Sequence, residues 1–431
     1  MKVPYPFQAE AVAQALKVPG FLVADECGLG KTLTAIEIAK ASRGFSPMWW
    51  CLVICPPSLI PQWIDAIHDQ DPGWDVYVVN RLPLNYEVCM GWVLMGVYDL
   101  SSVSVRSSLS TRIFDMIIVD EAHRMKNRKT KTAEWIKTID APRHLALTGT
   151  PMEKNPADLW SILNWLQRDV FPVYWGWVMA NLEVTSGYFD KYQVGGPKDP
   201  QAFGEMLRPY MIRRTKEQVA PQLPEKIVIE QRVDMTPEQD KLYKTVRKQT
   251  DIEVHVEDKT LLIPNALAML TRLQQIASDP VLLGFEVDSG KMLWLKDFLA
   301  DHSDEATVIF TRFRGVATRI AAEYDASIII GGRREYDPDN CKLLVGTIDA
   351  MGEGLNLQWA KNAIFIDSHW STIKMTQAID RIHRIDIKEP KNIYLLWSTR
   401  EDKLVLDALD HKWSEAELVY FFLADRDDEV S

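Results

Sequence analysis

The stretch Phe21-Leu-Val-Ala24-Asp25-Glu-Cys-Gly28-Leu-Gly30-Lys31-Thr32 decides the fold class of this chain of 431 residues. Its apolar start predicts a buried β-strand, its glycines predict a tight turn, and the run from Lys31 to Ala41 predicts a helix. A glycine turn between a strand and a helix presents backbone N–H groups to an anion, which is how many proteins hold phosphates. In such a loop, Lys31 would reach the β- and γ-phosphates of a nucleotide, and the Thr32 hydroxyl would ligate Mg²⁺.

Asp25 departs from the strict phosphate-loop pattern, which has a glycine at that position. The later glycines and the Lys31-Thr32 pair match the pattern. On the local sequence alone, a glycine turn that binds no ligand therefore stays an alternative.

Short apolar runs alternate with helical stretches in two blocks of the chain. Fully apolar strands separated by helices indicate parallel sheets, with functional residues expected at the carboxyl ends of the strands. Between the blocks, roughly residues 156–300, the periodicity is mainly helical. The sequence therefore predicts an α/β protein of two parallel-sheet lobes with helical insertions between them. The predicted strands are Phe21–Ala24, Leu52–Cys55, Met116–Val119 and His144–Leu147 in the first block, and Thr307–Phe310, Ser327–Ile330, Leu343–Val345, Ala363–Ile366 and Ile393–Leu396 in the second.

The composition excludes several classes of protein. Hydrophobic residues make up 47% and charged residues 25%, as in globular proteins, which excludes disordered and fibrous chains. The formal net charge of −11 argues against a protein that coats nucleic acid with its whole surface, but it allows a local basic groove. Five cysteines without a C-x-x-C pair argue against a disulfide scaffold or a zinc site, and no apolar run approaches the ~18 residues of a membrane span. We expect a soluble protein of a reducing compartment.

A run of acidic residues, Asp120-Glu121-Ala-His123, follows the apolar strand that ends at Val119. An aspartate at a strand end can hold a Mg²⁺ ion, and the next glutamate can activate the attacking water. Adjacent carboxylates also occur as simple solvated caps of a strand. Their position in the same α/β lobe as the phosphate loop favours the catalytic interpretation.

Gln377, Asp380, Arg381 and Arg384 follow one another at helical spacing and are predicted to share one face of a helix. A solvated charged face is the commoner explanation of such spacing. The other is an arginine finger, in which a guanidinium stabilises the charge that develops on a transferred γ-phosphate.

Several further segments stand in an order that is typical of one protein family. They are Pro6-Phe-Gln8, Val53 to Leu59 with Trp63, Arg124-Met-Lys126-Asn127, Leu147-Thr148-Gly-Thr150-Pro151, Met211-Ile-Arg-Arg214-Thr-Lys216, Leu270 to Pro280, Ile309-Phe-Thr311, and Gly346-Thr347 through Gln358. With these segments the chain resembles, over nearly its full length, the Swi/Snf-type ATPases, which are DNA translocases of helicase superfamily two. The loop from Asp25 to Thr32 is that family's own form of the phosphate loop, so the resemblance accounts for Asp25.

The resemblance implies two RecA-like lobes of the P-loop NTPase type. It implies a first lobe over residues 1–166, helical protrusions and an inter-lobe linker over 167–284, and a second lobe over 285–431. It also implies a bare motor, as in small bacterial or phage-like members without accessory domains, that works in the cytoplasm, at the nucleoid or in a host cell.

The resemblance further implies ATP and Mg²⁺ as the cofactors, and it assigns residues to four roles. The catalytic residues are Asp120, Glu121, Arg381 and Arg384. The ATP-binding residues are Gln8, which would read adenine, with Gly28, Gly30, Lys31, Thr32 and Gly354. The metal ligands are Thr32 and Asp120. The residues for DNA binding and coupling are Pro57, Ser58, His123, Lys126, Thr148, Thr150, Thr311 and Thr347.

Double-stranded DNA is the partner that the resemblance implies, gripped through its phosphates without regard to sequence. Two basic segments fit this, although such residues also serve merely to solubilise a helix. The many tryptophans are expected in the core instead of stacking on bases. The basic residues are Arg124, Lys126, Arg128, Lys129 and Lys131 in one segment, and Arg208, Arg213, Arg214 and Lys216 in the other.

The expected function is an ATPase that moves along duplex DNA and remodels DNA structures or protein–DNA complexes. One rival is a strand-separating or fork-reversing helicase of the same superfamily, which would need a wedge that the sequence does not reveal. The other rival, from a different class, is an ATP-gated DNA clamp or recruitment factor. The sequence names no protein partner, and no membrane association is expected.

Overall fold

The computed structural model describes residues 1–44, 46, 48–79, 90–110, 113–152, 155–186, 192–221, 223–248, 253–256, 259–262, 266–352, 355–385 and 387–411. The chain forms two compact units, Met1–Gln222 and Leu223–Ser431. Residues 167–222 thus belong to the first unit and residues 223–284 to the second, while the predicted three-part division itself stays a prediction.

The first unit is built on a parallel sheet of seven strands in the order β3-β4-β2-β5-β6-β1-β9. Every pairing in it is parallel. Its central strands are mainly apolar because both faces of such a sheet are covered. The strands are β1 (Gly20–Val23), β2 (Trp50–Cys55), β3 (Asp75–Val78), β4 (Gly91–Gly96), β5 (Met116–Asp120), β6 (Arg143–Leu147) and β9 (Met211–Ile212), with β7 (Leu182–Thr185) and β8 (Gln193–Pro197) in a separate antiparallel hairpin.

Side chains that alternate along these strands enter two separate hydrophobic clusters, one on each face of the sheet. On β2, Leu52 and Ile54 join one cluster, whereas Cys51, Val53 and Cys55 join the other. The two cysteines are therefore packing residues. The helices of this unit are α1 (Pro6–Ala15), α2 (Lys31–Arg43), α3 (Ile60–Gln70), α4 (Val103–Ser110), α5 (Lys131–Ile136), α6 (Leu159–Leu166), α7 (Tyr174–Asn181), α8 (Pro200–Leu207) and α9 (Lys216–Val219).

The second unit has its own sheet of seven strands, in the order β10-β18-β17-β13-β16-β14-β15. All of its pairings are parallel except that of β15 with β14. The prediction of two parallel-sheet α/β lobes is therefore confirmed. The strands are β10 (Lys226–Arg232), β13 (Thr307–Thr311), β14 (Ser327–Ile330), β15 (Arg333–Glu335), β16 (Leu343–Thr347), β17 (Asn362–Phe365) and β18 (Lys391–Trp397), with β11 (Glu253–Val256) and β12 (Lys259–Leu262) in a separate hairpin.

Two clusters cover the faces of this sheet, and a third forms where α10 packs on α11. Ser289 caps the N-terminus of α12, since its side chain accepts a hydrogen bond from the backbone N–H of Met292. None of the described helices is long and apolar enough to cross a membrane. The helices are α10 (Pro237–Lys248), α11 (Ala266–Ser278), α12 (Gly290–Asp301), α13 (Arg314–Tyr324), α14 (Ile348–Met351), α15 (Thr372–Ile379) and α16 (Arg400–His411).

Candidate active site

The predicted phosphate loop lies in the first unit between β1 and α2. β1 is fully buried, and α2 begins at Lys31. Gly28 (φ +88°) and Gly30 (φ +76°) both adopt the left-handed backbone conformation, which glycine reaches without steric cost. A Cβ atom at Gly30 would also lie 2.7 Å from Nε2 of Gln8. The turn between strand and helix therefore depends on two glycines and exposes the N-terminus of α2.

The Lys31 ammonium lies inside this loop. Its Nζ atom donates to the carbonyl oxygens of Asp25 (2.9 Å) and Glu26 (3.4 Å). Burial acts to lower the pKa of Lys31, but the neighbouring Cys27 and then Glu121 and Asp120 outweigh it and hold the pKa above its usual value. Lys31 is therefore a stable cation, as a phosphate site requires.

Asp120 and Glu121 lie at the carboxyl end of β5. Asp120 is buried, and its two oxygens accept hydrogen bonds from the backbone N–H of Glu121 (Oδ1, 2.9 Å) and from the indole N–H of Trp63 (Oδ2, 2.9 Å). Burial and then the charge of Glu121 raise the pKa of Asp120 to about 6, against the effect of the Trp63 hydrogen bond. Glu121 has φ +50°, a strained conformation that is uncommon outside glycine and clusters at functional sites.

Three predicted coupling residues form a chain of polar contacts that reaches Glu121 through His123. Nδ1 of His123 lies 3.2 Å from Oε2 of Glu121 and 3.4 Å from Oγ1 of Thr148. The Thr148 hydroxyl accepts in turn from the backbone N–H of Thr150 at 3.2 Å. A polar chain therefore connects the loop after β6 to the carboxylate that is predicted to activate water.

Gly149 brings the same loop against the phosphate loop. A Cβ atom at this position would lie 2.4 Å from Sγ of Cys27 and 3.4 Å from Nζ of Lys31. Only glycine allows this approach without a shift of the neighbouring atoms.

Asp25 has a partner that local sequence could not reveal. Arg214 donates from Nε to Oδ1 of Asp25 (3.0 Å) and from Nη2 to Oδ2 (2.6 Å), and also to the carbonyl of Phe7. Both side chains of the pair are buried. Backbone bonds join the same segment to the loop, from Ala24 N to Ile212 O and from Glu26 N to Arg214 O. The carboxylate that departs from the phosphate-loop pattern therefore fixes the loop to β9.

Arg214 and Lys216 belong to the second basic segment that the sequence offers for binding DNA. Both are buried, so neither is displayed to a nucleic acid in this structure. Their neighbours Arg208 and Arg213 are exposed.

Asp25→Ala is expected to destabilise the protein by about 3 kcal/mol, because it leaves the buried Arg214 guanidinium without its carboxylate. The loss should appear in urea-induced unfolding. Asp71→Ala is the matched control, because the buried Asp71 forms a second bidentate pair in the same unit, with the half-buried Arg43 (2.7 and 3.0 Å). Both variants should lose stability, but only Asp25→Ala should weaken nucleotide binding. Equal nucleotide affinity in the two variants would contradict the assignment of Asp25 to the loop.

Gln8 is buried beside the loop. Its Nε2 donates to the carbonyl of Leu29 (3.0 Å), and its Oε1 accepts from the backbone N–H of Tyr5 (2.9 Å). The side chain thus lies next to the phosphate loop, while its contact with adenine stays a prediction.

The predicted DNA contacts of the first unit lie at the surface. Pro57 and Ser58 are exposed in a 3-10 helix, Pro57–Leu59, directly after β2. Lys126 is half-buried where a second 3-10 helix, Ala122–Met125, ends after the acidic pair.

The two predicted finger arginines lie in the second unit, but the helix there is shorter than predicted. α15 ends at Ile379, and residues 380–385 form turns. Nε of Arg381 donates to the carbonyl of Gly352 (2.9 Å), and Nη2 of Arg384 donates to that of Leu355 (2.7 Å). The backbone of this segment also bonds to that loop, because the N–H of Leu357 donates to the carbonyl of Arg381 (3.1 Å), and the predicted helix over 377–384 ends at Ile379.

The other predicted residues of the second unit lie at strand ends. Thr311 is buried, and its hydroxyl donates to Oδ2 of Asp367 (2.7 Å), whose pKa is raised by burial. Thr347 is buried where β16 meets α14. Gly354 lies outside the described residues.

The residues of the first unit fit Mg²⁺ bound together with a nucleotide. Thr32 and Asp120 offer a hydroxyl and a carboxylate, the hard oxygen ligands that Mg²⁺ prefers. Among the described residues, no group of three or more His, Cys, Asp or Glu side chains is arranged to hold a metal. Mg²⁺ typically binds through one or two carboxylates plus substrate phosphates, which agrees with this set.

Comparison with known proteins gives two family matches. The family model described as SNF2-related domain matches residues 12–282, and that described as Helicase conserved C-terminal domain matches residues 290–386. The matched ranges contain the predicted phosphate loop and the two predicted finger arginines respectively.

The chain is also similar to curated relatives and to solved structures, with sequence identities below 30% in the examples that follow. The chain is 27% identical to the mouse DNA annealing helicase and endonuclease ZRANB3, over 94% of this chain and 40% of the relative. It is 26% identical to the mouse SWI/SNF-related matrix-associated actin-dependent regulator of chromatin subfamily A member 1, over 89% and 40%. The chain therefore spans about two fifths of these relatives. A solved Sulfolobus solfataricus SWI2/SNF2 ATPase core in complex with dsDNA is 23% identical, with a TM-score of 0.49, over 96% of this chain and 91% of that one.

Proposed function

The chain belongs to the SNF2-related family, and on that premise we propose that it hydrolyses ATP to ADP and phosphate while it moves along double-stranded DNA. Movement of this kind would remodel DNA structures or protein–DNA complexes. The observation that carries the proposal is an arrangement in the first unit. The loop after β1 and the end of β5 bring the Lys31 cation close enough to Asp120 and Glu121 for their charges to interact.

Each residue of this arrangement has a proposed task in the hydrolysis of ATP. Lys31 and the N-terminus of α2 bind the phosphates, and Thr32 and Asp120 hold the metal. Bound Mg²⁺ would neutralise charge on the β- and γ-phosphate oxygens. Glu121 orients the attacking water and accepts its proton. His123 and Thr148 keep the Glu121 carboxylate in place.

We assign the finger role to Arg381 and Arg384 from the resemblance in their sequence. Both guanidinium groups are held by carbonyl oxygens of the segment that follows α14. Such anchoring limits the conformational freedom of the two side chains before they contact a phosphate. Less conformational entropy is then lost in the transition state.

We propose that DNA is bound through its phosphates by groups at the surface of the protein. Pro57, Ser58 and Lys126 contribute from the first unit. Lys129 and Lys131 near them are exposed as well, whereas Arg128 lies over the ring of Tyr174 at 4.3 Å. The buried Thr311 and Thr347 would act by holding the strand ends from which contacting loops emerge. Phosphate contacts suit a motor because they carry no sequence information.

Double-stranded DNA is expected to stimulate ATP hydrolysis strongly, and stimulation should depend little on sequence. It should fall steeply with added salt, since each phosphate contact releases a condensed counterion on binding. Steady-state ATPase assays with duplex and single-stranded DNA at several salt concentrations provide the test. Full stimulation by single-stranded DNA alone would contradict a duplex motor and favour a strand-separating helicase.

A further inference from the structure

One continuous segment of the first unit joins an exposed surface to the buried acidic pair. It begins with the 3-10 helix Pro57–Leu59 and continues directly as α3. Pro57 and Ser58 are exposed, whereas Leu59 and Trp63 are buried in the hydrophobic cluster below them. Trp63 lies in the first turn of α3, so only one turn of helix separates the two environments.

Trp63 makes a directed bond at the buried end of this segment. Its side chain is 1% exposed, and its indole N–H donates to Oδ2 of Asp120 at 2.9 Å. The other oxygen of Asp120 is held by the backbone of Glu121. An indole has a single donor and no acceptor, so this bond can form only where α3 places the ring. The position of the ring therefore helps to set the orientation of the Asp120 carboxylate.

This bond is not a general consequence of burying tryptophan in the protein. The indole N–H groups of Trp160, Trp165 and Trp177 are buried in the same unit, and no hydrogen-bond partner lies within reach of them among the residues that the structure describes. The fold therefore tolerates an unpaired indole donor. Trp63 instead uses its donor on the carboxylate predicted to hold the metal.

We propose that Trp63 is a positioning residue that couples contact at Pro57 and Ser58 to the metal-holding carboxylate of Asp120. The proposal rests on the proposed function, because it takes Pro57 and Ser58 as the DNA contact and Asp120 as the metal ligand. A shift of the 3-10 helix is carried through the first turn of α3 to the indole ring. The ring then reorients Asp120, so DNA binding changes how firmly the metal and its nucleotide are held.

The protein contains a matched control for this bond. Trp92 on β4 is equally buried, and its indole N–H donates to Oδ2 of Asp71 at 3.0 Å. Both tryptophans belong to the same hydrophobic cluster. Asp71 is paired with Arg43 and is not part of the site described above. Trp63→Phe and Trp92→Phe therefore remove the same kind of hydrogen bond and a similar volume.

The first measurement is the Mg²⁺ concentration that half-saturates binding of a fluorescent ADP analogue. Trp63→Phe is expected to raise it about 10-fold, in line with the loss of a group that orients a metal ligand. Trp92→Phe should leave it unchanged. The second measurement is the ratio of ATP turnover with and without duplex DNA, which should fall in Trp63→Phe and stay at the wild-type value in Trp92→Phe.

Identical Mg²⁺ dependence and identical DNA stimulation in the two variants would overturn the proposal. If Trp63→Phe does not fold, genetic incorporation of 3-benzothienylalanine at position 63 keeps the ring shape and removes only the N–H group, and the same shifts are expected. Failure of the proposed function is recognised separately, because wild-type protein would then show no duplex-stimulated turnover at all.

Discussion

ATP turnover is expected to fall by at least about 10³-fold in Lys31→Ala, together with a loss of nucleotide affinity, because fixed charges that face a reacting phosphate contribute on that scale. The structure strengthens the expectation. Lys31 is anchored by two loop carbonyls and is the cation next to Asp120 and Glu121. Without the Lys31 ammonium, one positive charge fewer would offset the repulsion between a bound phosphate and the carboxylates of Asp120 and Glu121.

Lys137→Ala is the matched control for this substitution. Lys137 is a half-buried lysine of the same unit whose Nζ donates to Asn164 (2.9 Å). It should keep wild-type turnover, and both variants should keep the wild-type circular dichroism spectrum. Wild-type turnover in a folded Lys31→Ala protein would remove the basis of the phosphate-loop assignment.

Arg384→Ala is expected to slow DNA-stimulated hydrolysis by about 10³–10⁵-fold, the range found for arginine fingers. Binding of ATP and of DNA should persist, because the guanidinium acts mainly on charge that develops in the transition state. Equilibrium nucleotide binding and single-turnover hydrolysis, measured on the same preparation, separate the two effects.

Arg333→Ala serves as the control for Arg384→Ala. Arg333 is an exposed arginine of the second unit, on the edge strand β15, where it pairs with Glu335. Turnover should be unaffected there. If Arg384→Ala also keeps most of its DNA-stimulated turnover, the finger role belongs to another residue.

Most of the parallel strands inside the sheets could be predicted from sequence, but β4 was missed, although it lies between β2 and β3 and is buried throughout. The apolar runs at β1, β2, β5, β6, β13, β14, β16, β17 and β18 were all predicted, since burial on both faces removes polar residues. β10 was not, because it is an edge strand and most of its side chains are exposed. β9 has only two residues, too few for a periodic signal.

Local geometry of the candidate site was likewise predictable, but its long-range bonds were not. The glycine turn and the acidic strand end follow from residues that are adjacent in sequence. Asp25 and Arg214 are separated by 189 positions, and Trp63 and Asp120 by 57. Only the unusual aspartate in a glycine position hinted at the first pair. The predicted helix over 377–384 was right only as far as Ile379, because the Arg381 carbonyl beyond it accepts a hydrogen bond from another loop.

The tryptophans show what the neighbouring residues in the sequence can predict about burial. Trp49, Trp160 and Trp165 are buried and Trp50 is half-buried, so the expectation that they belong to the core is confirmed. Their apolar sequence neighbours carried that expectation. Trp63 stood out only as part of a segment typical of the family, and its bond to Asp120 could not be predicted because that carboxylate lies in another strand.

Displacement of a third strand from a DNA triplex tests the central claim most directly. A motor that moves along an intact duplex must push the third strand off, so wild-type protein should release it with ATP but not without ATP. Lys31→Ala should release none, and a tailed duplex should stay largely unseparated under the same conditions. An intact triplex in the presence of a protein that hydrolyses ATP on duplex DNA would contradict translocation and favour an ATP-gated clamp.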